Sequence, residues 1–283
     1  MPLALESALD LAALSEVPAS NNPPSGAILM SEILAHLEQG VLTLTFNRVE
    51  KKNALTSAMY AALADHLQQA AADAQTRVLV IQGQDNLFTA GNDVSEFLQR
   101  PPAGVQAPVF RFLHAIADFT KPMLAAVCGP AVGIGTTLLL HCDLVYAGDN
   151  ALFSLPFVNL GLCPEAGSSL LLPQRIGHAA ANEKLLFGEP FSADEALEWG
   201  LVNRVLPPSE VNAYVQQQAR KLAARPLASL MTTKALLRRP QQEAVHAAIE
   251  VEAGHFERML KEPAAKEAFS AFLAKRKPDF SAL

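Results

Sequence analysis

The stretch PMLAAVCGPAVGIGTTLLLHCDLVYA, residues 122–147, reads as strand, turn, helix and strand in succession. Pro122–Val127 is a short apolar run of the kind a buried parallel strand makes. Gly129–Gly135 supplies turn formers, an apolar helix follows and ends near His141, and Asp143–Ala147 resumes the strand pattern. Outward from there, Val78–Gly83 is a similar apolar strand, and Val41–Phe46 alternates with β-branched content. Thr56 or Ser57 caps an amphipathic helix to about Ala72, Asp93 caps a short helix, Pro101–Gly104 is a loop, and a helix covers about Val109–Phe119. Beyond residue 165 helices dominate, over about 179–187, 193–199, 208–223, 227–236, 242–260 and 263–275. Strands alternating with helices, then helices alone, predict an α/β core with an α-helical C-terminal part.

Downstream, FSLPFVNLGLCPEAGSSLL (153–171) holds one acid, Glu165, among otherwise uncharged residues. Pro164 suits a first helical position, and Glu165 then falls in the opening turn, where free N–H groups favour negative charge. On that reading Glu165 stabilises its own helix. On the other it is a lone general base facing an apolar pocket.

Two junctions, Ala90-Gly91-Asn92 and Gly133-Ile134-Gly135, each place backbone N–H groups at a helix start. Two such groups converging on one point would form an oxyanion hole, although glycine at a turn is as readily plain geometry. No GxGxxG follows a strand, and the lysine of a Walker A motif is missing. Ser168 and Ser169 lie in AGSSL, not in a GxSxG elbow. His114 and His141 fall in apolar helices, while His178, His246 and His255 fit surface or interhelix positions. No pair has metal-ligand spacing, so no metal site is expected. Cys163 is close to Glu165, whose charge would raise a thiol's pKa and disfavour a thiolate nucleophile.

At 283 residues, 50% hydrophobic and 18% charged, the chain is expected to bury a substantial core. A net charge of −6 argues against nucleic acid or an anionic membrane as the main partner. Cys128, Cys142 and Cys163 read as buried reduced thiols of a cytoplasmic protein. No apolar run approaches the roughly 18 residues of a membrane span. Residues 1–29 carry Glu6, Asp10 and Glu16 but no basic residue, and read as a flexible extension rather than a signal or transit peptide. The expected organisation is that extension, an α/β core over 30–205 and a helical region over 206–283.

Taken together, FTAGNDVSEF (88–97), AAVCGPAVGIGTTLLLHCDLVYA (125–147) and LPFVNLGLCPEAGSSLLLPQRIG (155–177) resemble the crotonase, or enoyl-CoA hydratase/isomerase, superfamily. The likeness extends to the basic loop NRVEKKNAL (47–55) and the tail AFLAKRKPDF (271–280). It implies a spiral of ββα units, a C-terminal helical region that builds a homotrimer or dimer of trimers, and an acyl-CoA thioester substrate with no separate cofactor. Carried over by position, it implies oxyanion-hole N–H groups on Asn92 and Ile134 and backbone contacts to CoA from Ala54 and Ala90. Lys51 or Lys52 would lie near the CoA phosphates, with Lys275 reaching them from an adjacent subunit.

The departures bear on the reaction. Where family hydratases carry two glutamates this sequence has Thr137 and Phe157, and CPEAGSS instead resembles the Δ3,Δ2-enoyl-CoA isomerase branch. The resemblance therefore implies double-bond transposition by Glu165 alone, with Phe157, Leu160, Leu162 and Cys163 excluding water. The rival expectations are a hydratase or thioester hydrolase using the same carboxylate, and a non-catalytic binding or scaffold protein.

Overall fold

A computed structural model describes residues 31–99, 104, 106–281 and 283. The expected extension over 1–29 and most of the Pro101–Gly104 loop lie outside the described residues. In chain order the elements are β1 (Ile33–Glu38), β2 (Val41–Phe46), α1 (Ser57–Ala72), β3 (Val78–Gln82), α2 (Val94–Gln99), α3 (Pro108–Asp118), β4 (Met123–Val127), β5 (Pro130–Val132), α4 (Ile134–Thr137), β6 (Leu144–Gly148) and β7 (Leu152–Ser154). They continue as α5 (Ser168–Ile176), α6 (His178–Phe187), β8 (Phe191–Ser192), α7 (Ala193–Glu198), β9 (Arg204–Leu206), α8 (Pro208–Ala223), α9 (Leu227–Arg238), α10 (Gln242–Met259) and α11 (Pro263–Leu273).

The strands form a six-stranded sheet in the order β1-β2-β3-β4-β6-β9 and a three-stranded sheet in the order β5-β7-β8. From β2 onward the large sheet is parallel, which buries both faces and accounts for the unbroken apolar strands. Leu79, Ile81, Met123, Ala125 and Val127 face a core shared with α1 and α3. The alternate residues Val78, Val80, Leu124 and Ala126 pack under Val211, Val215, Ala219 and Ala223 of α8.

The chain winds as a spiral. Each turn runs through the large sheet, crosses to the smaller ladder and enters a helix: β3 then Thr89, β4 then β5, β6 then β7. Parallel bridges join Leu55 to Asn92 and Thr89 to Ala131, so successive turns are stitched side by side. The crossing ends therefore gather at one edge of the fold.

Unforeseen in the sequence, β1 pairs antiparallel with β2 through Gln39 and Gly40, both at positive φ as a tight hairpin requires. The capped helices fall where they were expected. Thr56 Oγ1 accepts from the Met59 N–H at 3.2 Å, and Asp93 Oδ1 accepts from the N–H groups of Ser95 and Glu96.

Candidate active site

The loop after β7 decides what Glu165 does. Ala166 and Gly167 both adopt left-handed backbone, with φ of 63° and 70°, and α5 begins only at Ser168. The expectation that Pro164 opens a helix with Glu165 in its first turn is corrected, because those two left-handed residues break the helix before it. The acid at that helix start is instead Glu252, from α10. Its Oε2 accepts from Gly167 N–H at 2.6 Å and its Oε1 from Ser169 N–H at 2.8 Å, which supplies a cap that Gly167 itself lacks.

Freed from that role, the Glu165 side chain turns inward and is 6% exposed. Its Oε1 accepts from Thr137 Oγ1, at the end of α4, at 2.6 Å. His141 Nε2 lies 2.7 Å from the Ala166 carbonyl, and since a carbonyl only accepts, the imidazole donates and steadies the turn.

Around the carboxylate is a small chamber of about 20 Å³, lined by Phe97, Val109, Phe110, Leu113, Ile249, Ala253 and Phe256 together with Asn92. Its walls are thus α2, α3 and α10. The water-excluding residues expected from sequence lie elsewhere: Phe157, Leu160 and Leu162 line the neighbouring cleft, and Cys163 gives its thiol to the Glu252 carbonyl. Burial pushes the Glu165 carboxyl up to about 8; the Thr137 hydroxyl pulls against this and the Glu252 charge adds to it.

The two glycine turns lie side by side. Thr89 N–H donates to Pro130 O and Val132 N–H to Thr89 O, which locks the Ala90–Asn92 turn beside Val132–Ile134. A methyl group on Gly91 would sit 2.9 Å from the Val132 carbonyl, so only glycine permits this approach. Gly133, at φ 55° and ψ −115°, leads straight into Ile134 at the first position of α4. Among the described residues, neither the Asn92 nor the Ile134 N–H donates to a protein acceptor. One partner was not foreseen: the buried Tyr60 hydroxyl donates to Asn92 Oδ1 from α1.

A cleft of about 380 Å³ opens from Asn92, Phe97 and Phe256, which it shares with the chamber. Lys51, Lys52, Ala54, Ala90 and Lys275 all line it. Lys275 lines the cleft of its own chain: α11 ends at Leu273, and Lys275 follows it at φ 52°. Buried Asn53 holds the lysine loop by donating to the Phe88 carbonyl at 2.9 Å. Ala54 O already accepts from Arg48, and Ala90 N–H donates to Lys52 O, which leaves Ala90 its carbonyl to offer.

A second cleft of about 340 Å³ lies between α3, α9 and α10, and none of the residues expected in the site lines it. His114 pairs with Glu250 at 3.0 Å, and His246 with Asp118 at 2.8 Å, in structural roles. Among the described residues no group of His, Cys, Asp or Glu is placed to hold a metal ion, and no helix is long and apolar enough to cross a membrane.

Comparison with known proteins gives a consistent result. A profile described as enoyl-CoA hydratase/isomerase matches residues 36–282. The chain is 38% identical over 252 residues to the 2,3-dehydroadipyl-CoA hydratase of Escherichia coli (strain K12), covering 89% of this chain and 99% of that protein. It is 40% identical over 226 residues to enoyl-CoA delta isomerase 2 of Rattus norvegicus, covering 78% of this chain and 58% of that protein. Among solved structures, OdaA of Pseudomonas aeruginosa is 46% identical with a TM-score of 0.84, over 86% of this chain and 99% of its own.

Proposed function

The chain belongs to the enoyl-CoA hydratase/isomerase family, and within it we propose that this enzyme shifts the double bond of a 3-enoyl-CoA to the 2-position with Glu165 as sole proton shuttle. One observation carries this reading: among the described residues, the chamber is lined by a single carboxylate, Glu165. Glu252, the other buried acid nearby, has both oxygens committed to backbone N–H groups.

The chemistry follows from charge. A thioester carbonyl between the Asn92 and Ile134 N–H groups presents its C2 proton to Glu165. Removing that proton forms a dienolate whose charge collects on the thioester oxygen, and losing one donor at such a position costs roughly 3–4 kcal/mol. The same carboxyl, now protonated, returns the proton at C4, and no water enters the balance. A carboxyl with a pKa of about 8 serves both halves, since a base and acid work best near the operating pH.

Adding water needs a second proton-transfer group. Thr137 and Phe157 stand at the positions in question, and the Thr137 hydroxyl proton is already donated to Glu165. The likeness to a hydratase favours a second reading, in which Glu165 activates water and the product is hydrated.

In the same proposal CoA lies in the cleft, its phosphates near Lys51, Lys52 and Lys275 and its adenine and pantetheine against Ala54 and Ala90, with no further cofactor. The assembly is a homotrimer or dimer of trimers in the cytoplasm. Exposed Leu186 and Phe187 on α6, and Leu236 and Leu237 on α9, support the assembly as apolar surface left to cover.

The test is to mix the enzyme with 3-enoyl-CoA esters and follow the ultraviolet absorbance of the conjugated 2-enoyl thioester, separating the CoA products by chromatography. A conjugated product is expected. A hydrated or cleaved product without it would favour the hydratase or hydrolase, and binding without turnover would favour a scaffold.

A further inference from the structure

The loop carrying Glu165 is pinned on both sides to one residue of a distant helix. Gly167 and Ser169 donate to the Glu252 carboxylate, and the Cys163 thiol donates to the Glu252 carbonyl at 3.6 Å. Glu252 is only 6% exposed and sits on α10 among Ile249, Ala253 and Phe256, which wall the acyl chamber. A buried carboxylate is costly unless charge-assisted hydrogen bonds compensate it, and two N–H groups at a helix start do so.

We propose that Glu252 is a positioning residue of the reaction, holding the Cys163–Ser169 loop to α10 so that the base and the acyl chamber keep one fixed geometry. The inference rests on Glu165 as the base. Charge follows from the same contact. The other titratable groups near the loop are Tyr60 from α1, Cys163 within the loop, His141 beyond α4, and Arg258 at the end of α10, whose charge acts on Cys163. Burial raises the Tyr60 phenol well above its usual range, holds Cys163 at about 11 and pushes His141 down to about 4. All three are neutral where Glu165 titrates. Burial raises the Glu252 carboxyl too, and the Gly167 and Ser169 N–H groups act against this by favouring its anion; that charge in turn favours the protonated Glu165 carboxyl.

The test compares Glu252→Gln with Glu252→Asp. The first keeps side-chain length and removes charge; the second keeps charge and shortens the reach. Three readouts are taken: kcat and KM against pH on 3-enoyl-CoA, the infrared titration of the Glu165 carboxyl identified against Glu165→Gln, and calorimetric binding of butyryl-CoA. In Glu252→Gln the Glu165 titration is expected to fall by roughly half a pH unit or more. In Glu252→Asp the titration should hold while kcat drops roughly tenfold or more, with KM and butyryl-CoA binding little changed, as a misplaced base would give.

Wild-type kcat and an unmoved Glu165 titration in both variants would overturn the proposal. So would a loss shared equally by kcat and butyryl-CoA binding, which marks plain unfolding. Should Glu252→Gln not fold, the kcat-against-KM split of Glu252→Asp decides. If the wild type turned over no 3-enoyl-CoA yet Glu252→Gln still moved the infrared titration, the isomerase reading would fall and the positioning role would stand.

Discussion

Replacing Thr137 with valine should displace the pH profile of the enzyme rather than abolish its activity. Thr137 is fully buried, and its hydroxyl donates to Glu165 Oε1 at 2.6 Å. Valine keeps the branched shape and removes the donor. A hydrogen bond to a charged group contributes roughly 1.5–3 kcal/mol, which at about 1.4 kcal/mol per pH unit raises the Glu165 pKa by one to two units. Starting from about 8, the wild-type carboxyl is ionised about a tenth of the time at pH 7. The variant should therefore lose roughly ten- to a hundredfold in kcat/KM at pH 7 and recover it in alkali, where the freed carboxylate is the stronger base. The assay is kcat/KM for a 3-enoyl-CoA from pH 6 to 10, which reports ionisation of the free enzyme. An unmoved inflection, or the same loss at every pH, would refute the reasoning.

Other consequences follow from the same geometry. Glu165 is folded with its pKa raised from 4.5 to about 8, so the native state binds more protons than the unfolded chain between those values and loses stability as pH rises through them. Glu165→Gln should accordingly melt at a higher temperature than wild type at pH 8–9, by roughly 4–5 kcal/mol of stability at most, and differ little near pH 4. Gly133→Ala leaves ample room, with Phe157 Cε1 4.0 Å from the new methyl, but imposes backbone strain of about 1–3 kcal/mol. Turning the Ile134 N–H away should cost kcat roughly a hundredfold with little change in KM, measured under saturating substrate. Lys51→Ala and Lys275→Ala should each raise KM about fivefold at unchanged kcat, an effect that shrinks with added salt in initial-rate assays.

The parts of the fold written locally were legible in the sequence. Thr56, Asp93 and Pro208 mark helix starts through their own side chains, and the alternating faces of β3 and β4 are buried on both sides as their unbroken apolar runs require. The strand β1 escaped because it lies at the sheet edge with only Ile33 buried, so it carries no alternation; Gln39-Gly40 was the signal available. Strands β5, β7 and β8 are three residues or fewer, too short for any period. The start of α5 was misplaced for a tertiary reason. Its cap arrives from Glu252, 85 residues away from Gly167, while Pro164-Glu165 imitates a local one.

The site divides the same way. Asn92, Ala54, Ala90 and the lysines sit in or beside turns with their own grammar and line one cleft, and Ile134 follows Gly133 of that cleft at the start of α4. The chamber walls come from α2, α3 and α10, and the Tyr60–Asn92 contact spans 32 residues; such pairings have no local signature.

The most direct measurement follows a 3-enoyl-CoA deuterated at C2 through a single turnover and locates the label in the product by mass spectrometry. One carboxyl in an apolar-walled chamber should carry part of the deuterium to C4, and Glu165→Gln should form no conjugated product. Complete loss of the label to solvent in the wild type, or undiminished turnover in Glu165→Gln, would contradict a single-carboxylate shuttle.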